Sequence, residues 1–469
     1  MKVLADLHSH SRFSRAVSQQ MTLPVMAEWS RRKGIDLVTT ADWTHPLWLK
    51  ELQSGLEEAT EGLYKLKGGQ PSPLFLLSTE VAAIYSQGGK QRRIHLLIFA
   101  PNFAAATKIN AALTRLRMNL FSDGRPILGM SARDITRLVM ETDGRSLVIP
   151  AHVWTPWFSL YGSMSGFDSI EECFGDMAKF IYGIETGLSS DPAMNWRVQD
   201  LDNRSILSFS DAHSPAKLLR EATVFELEEL SYGNIYQAIR LSGSLALGPE
   251  EKNPNSLMPQ QPKSRILYTL EFYPEEGKYH YTGHRNCGVK QTPEETKKTG
   301  VICPKCHRPL TVGVMQRVQD LAREFSSPQG QAPLMSNVQF PMDEYGVRWM
   351  KSQESRLPYV MMVPLLEIIS EALNSTVSSQ KVLNEYKKLT DVCENESTVL
   401  LRTRGEEIER VSGRKISEGI EKVRRGDIFV DPGFDGEFGK VKIWSEGEDG
   451  EESIEKVDKV DPKEQLGLF

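Results

Sequence analysis

Val3-Leu-Ala-Asp6-Leu-His8-Ser-His10 is a short apolar run that ends in two histidines. Extended backbone alternates its side chains, so i, i+2 spacing sets both imidazoles on one face of a strand. Later segments repeat the pattern of an apolar run followed by a polar end. Stretches 36–40, 74–78, 94–99, 146–150, 182–185, 206–209 and 223–227 read as strands, and helical periodicity covers 23–33, 104–120, 132–141 and 234–241. Such alternation predicts an α/β domain over residues 1–248 with a largely parallel sheet. Seven or eight βα units closing on themselves would make a barrel with its chemistry at the carboxyl ends of the strands.

The polar residues sit at those ends. Asp42 and His45 follow the second strand, Glu80 the third, and His95 lies within the fourth. His152 follows the fifth, Glu185 ends the sixth, and Asp211 and His213 follow the next. With His8 and His10, this gathers all six histidines of the region with four carboxylates, more than one ion requires. Two or three divalent ions (Zn²⁺, Mn²⁺ or Mg²⁺) are expected, with Glu80 bridging, Asp211 as a ligand or the orienter of the attacking water, and His152 beside them. In order, these motifs resemble the polymerase and histidinol phosphatase (PHP) family. The resemblance implies a distorted (β/α)7 barrel that hydrolyses phosphate esters with up to three ions. In that family the second motif is tighter; here Trp43 and Thr44 separate Asp42 from His45, and either is a candidate ligand.

Residues 249–264 are polar and Pro-rich, as in a linker, and precede a module expected over 265–325. There His284-x₂-Cys287 and Cys303-x₂-Cys306 form two short pairs with the spacing of a tetrahedral structural zinc site. His280 and His307 are spare candidates, whereas Cys173 and Cys393 read as small buried apolar residues. A mainly helical domain is expected over 326–441, ending in a basic stretch that includes Arg402, Arg404, Arg410 and Arg424. Residues 442–469 form an acidic tail ending in Gln465-Leu466-Gly-Leu468-Phe469. That ending resembles the bacterial sliding-clamp binding motif, which implies a clamp partner and a bacterial source.

The net charge of −6 argues at first against nucleic acid, but −5 of it belongs to residues 442–469 and the remaining body is nearly neutral. Five cysteines in 469 residues and no apolar run of membrane-spanning length predict a cytoplasmic chain with no membrane partner. A monomer is expected. The phrases Ala5–Arg15, Gly183-Ile-Glu-Thr-Gly187, Ser210-Asp-Ala-His213 and Cys303-Pro-Lys-Cys306 together resemble the endonuclease Q family of DNA repair nucleases. The resemblance runs from residue 1 to about 440. It implies cleavage of the phosphodiester 5′ to a deaminated base (uracil, hypoxanthine, xanthine) or an abasic site, by a chain that works on the nucleoid. Reading an extruded base needs aromatic walls and phosphate-binding cations; Arg12, Arg15, Trp154, Trp157, Tyr161 and Trp196 are the candidates. A phosphatase acting on a small phosphate ester is the alternative that the same ligand set would serve.

Overall fold

Alternation in the first strand decides how the domain is wound: Val3, Ala5 and Leu7 point into one core while Asp6 anchors the other face. In the computed structural model, which describes residues 1–245, 263–322, 338–354 and 356–445, this strand is Lys2–Asp6. It pairs in parallel with Leu37–Thr39 and antiparallel with Ala222–Glu226. Leu37–Thr39 continues in parallel to Leu74–Leu76. Next comes a hairpin of Ser78–Gln87 and Lys90–Phe99, paired along all ten residues of each strand. Gly88 and Gly89, both at positive φ, make its two-residue turn, the geometry that matches strand twist. Leu147–Pro150 lies antiparallel on that hairpin, and Gly183–Glu185 lies parallel to Ser205–Leu207.

These strands belong to separate sheets, yet Leu7, Leu76, Leu97, Ile149, Leu207 and Phe225 meet in one buried cluster. The domain is therefore mixed, and the expectation of a largely parallel sheet is corrected. The outer half of the hairpin was unreadable as strand because Ser86–Arg93 is polar and exposed at its tip, so no apolar run marks it.

The sheet does not stop where the first domain was expected to end. Arg265–Glu271 adds antiparallel to Ala222–Glu226, and Tyr359–Met361 adds in parallel beyond it. The 265–271 segment, grouped by sequence with the zinc module, thus extends the first domain's sheet. The 249–262 part of the expected linker and the tail from 446 lie outside the described residues.

Five helices, Leu365–Ala372, Gln380–Val392, Glu396–Leu401, Gly405–Ser412 and Arg414–Arg425, form the C-terminal unit. It is joined to the first domain through a buried ion pair. Lys33 Nζ lies 2.7 Å from Glu396 Oε2, and Glu396 also accepts from Tyr386 Oη at 2.7 Å and Leu365 N at 3.0 Å. With the remaining lone pairs filled, the desolvation of both charges is offset. Arg424, part of the basic stretch that ends this region, is buried and donates to the carbonyls of Val399, Leu400, Thr403 and Tyr345. Among the described residues no helix is long and apolar enough to cross a membrane.

Candidate active site

Asp6 holds the site's two halves together. Its carboxylate accepts Ser210 N at 3.0 Å and Leu219 N at 2.9 Å, drawing the 208–219 loop against the first strand. His10 N then donates to Ala212 O at 3.0 Å, which sets Asp211 between His8 and His10. Asp211 Oδ1 lies 3.4 Å from His8 Nε2 and 3.2 Å from His10 Nε2. A second group adjoins the first. Glu80 Oε1 lies 2.7 Å from His95 Nδ1 and 3.1 Å from His152 Nε2. Its other oxygen, Oε2, is 3.3 Å from His10 Nε2 and 3.1 Å from Arg125 Nη1. Glu80 therefore touches both groups.

Behind the histidines stand two further carboxylates. His8 Nδ1–H donates to Glu185 Oε1 at 2.8 Å, while Glu185 Oε2 accepts His152 N at 2.9 Å. His10 Nδ1 lies 3.2 Å from Asp42 Oδ1, and Asp42 Oδ2 accepts from Ser11 N, Ser11 Oγ and Ser14 Oγ. A ring whose Nδ1 is engaged this way presents the Nε2 lone pair forward. Several of these residues sit in the left-handed region: Asp42 at φ 40°, His152 at φ 31° and Asp211 at φ 46°. Trp48 Nε1 stabilises the first of these turns by donating to Thr40 O and Ala41 O. At the second, a side chain on Gly187 would collide with His152, which is why the Gly-Ile-Glu-Thr-Gly phrase ends in glycine.

The electrostatics suit cations. Burial works against charge on Glu80 and Asp211, yet His95 and Arg125 around Glu80, and His8 and His213 around Asp211, hold both well below the usual carboxylate range. Burial pushes His95 and His213 down to about 4, so both are neutral imidazoles near pH 7. His8 Nε2, His10 Nε2 and Asp211 Oδ1 are buried and make no hydrogen bond. Each such atom costs ~1–3 kcal/mol unsatisfied, and convergent N and O donors are what a divalent ion satisfies. The residues fit a metal centre.

The structure brings nine of the ten expected ligands around these groups, Asp42 and Glu185 from behind and His213 with Nδ1 at 3.7 Å from Asp211. His45 stands apart. It precedes the Pro46–Gly55 helix, and its ring stacks on Phe13 at 4.4 Å.

An open pocket of about 1040 Å³, counting its mouth, lies over His95, His152 and Asp211. Trp157, Phe158, Phe272, Tyr279 and Phe438 wall it, and Arg125, Arg220 and Lys278 supply cations.

In the His/Cys segment, His284, Cys287, Cys303 and Cys306 bring one ligand atom each to within 4.8 Å of one another. The local core is only Val289, Cys303 and Leu310, too small to hold this fold unaided. These four residues fit a structural zinc. His280 is committed elsewhere, with Nδ1 3.1 Å from Pro274 O.

A crystal structure of the lesion-specific endonuclease PfuEndoQ from Pyrococcus furiosus superposes with a TM-score of 0.74 at 28% identity, covering 94% of this chain and 95% of that one. A second, endonuclease Q in complex with a 27-mer duplex carrying an abasic lesion at the active site, gives 0.75 at 29% identity, covering 95% and 98%. Over nearly its whole length the chain is similar to endonuclease Q. Among curated relatives, YqxK of Bacillus subtilis is 27% identical over 94% of this chain and 99% of its own length. MJ0043 of Methanocaldococcus jannaschii is 29% identical over 62% of this chain, a match that spans 31% of the archaeal protein. The model of the MJ0043 C-terminal domain matches residues 364–427.

Several expected lesion-pocket residues lie away from this pocket. Trp154 and Tyr161 are fully buried; Trp154 Nε1 donates to Asn195 Oδ1 at 2.8 Å and Tyr161 Oη to Asp200 at 2.7 Å. Trp196 packs edge-on to Tyr359 and lines a different, small cavity. Arg12 pairs with Glu51 at 2.7 Å, and Arg15 lies 3.5 Å from Asp123. Of the aromatics that follow His152 in sequence, Trp157 and Phe158 line the pocket. Sequence reading missed Arg125, whose only signal is a turn-rich Asp123-Gly-Arg-Pro126, and missed Phe272, Tyr279 and Phe438, which arrive from remote segments.

Proposed function

We propose that this chain is a metal-dependent endodeoxyribonuclease that hydrolyses the phosphodiester 5′ to a deaminated base (uracil, hypoxanthine or xanthine) or an abasic site. The observation that carries the reading is Glu80, which spans two imidazole–carboxylate groups beneath an open, aromatic, cation-edged pocket. His8, His10 and Asp211 would hold one divalent ion and Glu80, His95 and His152 another. Bound there, two such ions supply an activated water and neutralise charge on the phosphoryl oxygens. The chain's own residues do the rest. Glu185 and Asp42 fix the His8 and His10 rings, and His213 edges the first group. Arg125 offers a guanidinium to a phosphate oxygen. Trp157, Phe158 and Tyr279 supply faces on which an extruded base stacks. Phe272, Tyr279 and Phe438, from segments on either side of the His/Cys group in sequence, form the far wall.

The test is an end-labelled duplex carrying one deoxyuridine, deoxyinosine or abasic site, incubated with Mg²⁺ or Mn²⁺. Nicking on the 5′ side of the lesion is expected, and none on the undamaged duplex. Turnover of a small phosphomonoester without any nick would overturn the reading. Gln465, Leu466, Leu468 and Phe469 lie outside the described residues. The proposal assigns them to a sliding clamp, a tethered contact that raises local concentration on DNA. Deleting residues 465–469 should abolish clamp pull-down and spare cleavage of short oligonucleotides; retained pull-down would refute it.

A further inference from the structure

The strands that carry candidate metal ligands at their carboxyl ends carry cations and tyrosines at their amino ends. Arg145 precedes Leu147–Pro150, which leads to His152. Tyr182 precedes Gly183–Glu185, and Arg204 precedes Ser205–Leu207, which leads to Asp211. At ~3.3 Å per residue these strands separate the two ends by roughly 10 Å or more. A second cleft opens at the amino end, lined by Arg145, Lys179, Tyr182, Arg204, Tyr236 and Arg240 among others.

Its composition points to an anion. Among the described residues the cleft is lined by four cations and no carboxylate. Among the described residues no ion pair engages Lys179, Arg204 or Arg240, and Arg204 Nε is buried without a hydrogen-bond partner. Glu61 meets Arg145 at 3.4 Å, but both side chains are 60% exposed, so that pair is weak. The aromatic half is ordered: Tyr182 and Tyr236 meet edge to face at 6.2 Å, and the Arg240 guanidinium stands 5.3 Å from the Tyr182 ring centroid. The Tyr232–Leu245 helix presents Gly233, Tyr236, Gln237 and Arg240 at i, i+3, i+4 and i+7, one face by helical period, while Ile235, Ala238 and Ile239 pack inward.

We infer that this cleft is a second ligand site, remote from the metal groups, for a free nucleotide of the nucleoside diphosphate class. Arg145, Lys179, Arg204 and Arg240 take the phosphates, whose charge of roughly −3 they match. Tyr182 and Tyr236 take the base. The inference stands on the cleft alone and does not depend on the nuclease reading.

Calorimetric titration of the full chain with ADP, with pyrophosphate and with a short single-stranded oligonucleotide tests it. ADP is expected to bind, and the Arg204→Glu/Arg240→Glu pair to weaken it at least ~100-fold, two charged contacts being lost. Tyr236→Ala should weaken ADP and leave pyrophosphate unchanged. The circular dichroism spectrum and lesion nicking of each variant report whether it has folded; if the charge reversal fails to fold, Arg240→Gln with Lys179→Gln replaces it. No ADP binding, ADP binding retained in the charge variants, pyrophosphate binding as tight as ADP, or an oligonucleotide that displaces ADP would each overturn the inference. Loss of nicking in the wild type with ADP binding intact would instead refute the nuclease reading alone.

Discussion

Replacing Glu185 with Gln should uncouple the His8 ring from metal binding without touching a proposed ligand. The carboxylate accepts from His8 Nδ1–H at 2.8 Å with Oε1, while Oε2, 3.1 Å from the same nitrogen, accepts from His152 N–H at 2.9 Å. A glutamine has one oxygen for two donors. If that oxygen faces His152, the amide NH₂ faces His8 Nδ1, which must then accept. The ring proton moves to Nε2, and the lone pair aimed toward Asp211 is lost. If the amide flips, NH₂ meets the His152 N–H and the turn holding that residue at φ 31° loses its anchor. Both arrangements damage one of the two groups. Outer partners of metal-binding histidines are worth about 10–100-fold in metal affinity, or ~1.4–2.8 kcal/mol. Nicking of an abasic duplex, measured across Mn²⁺ concentrations, should show half-saturation moved up by that factor. The rate at saturating Mn²⁺ should change far less. An unchanged Mn²⁺ half-saturation in folded Glu185→Gln would refute this account of the carboxylate and the tautomer it enforces.

Four further outcomes follow from the geometry. Arg125→Gln removes the guanidinium beside Glu80 and should slow nicking roughly 100-fold with little change in duplex affinity, read by single-turnover kinetics and gel shift. Glu396→Ala strands buried Lys33 and two hydrogen-bond donors, so urea unfolding should show a loss of ~3–5 kcal/mol. Burial raises the Glu275 carboxyl to about 7, so the folded chain keeps a proton that the unfolded chain releases near its ordinary value of 4.5. Its contribution therefore falls as pH rises from about 4.5 to 7 and stays low above that, by up to ~3 kcal/mol. Urea midpoints from pH 5 to 8 should fall less steeply in Glu275→Gln, and an identical slope would count against the shift. Cys303→Ser should release one zinc per chain to a colorimetric chelator and expose the segment around Val289 and Leu310 to protease.

Much of the metal centre was legible because imidazoles and carboxylates are costly inside a fold unless they serve something. His8, His10, Glu80, His95, His152 and Asp211 could be picked from their places at the ends of apolar runs. The zinc ligands were legible for a simpler reason: a short pair on one turn needs only local spacing. By contrast, Asp42 and Glu185 read from sequence as ligands, and only the fold shows them on the far nitrogen of a ring. Trp154 and Tyr161 read as pocket walls because they follow His152, but burial is a property of what packs over a residue. That is invisible along the chain.

By itself, then, the sequence determined the strand-and-helix rhythm, the candidate metal ligands, the His/Cys pairs and the split between a neutral body and an acidic tail. Those depend on residue type and on separations of a few positions. Only the tertiary structure decided that the strands mix directions and that Arg125 joins Glu80. It also decided that residues near 272, 279 and 438 close the pocket over His152, and that Arg424 is a buried staple. Each is a meeting of segments tens to hundreds of positions apart. Such meetings are fixed by which faces bury together, and a linear pattern carries no record of that.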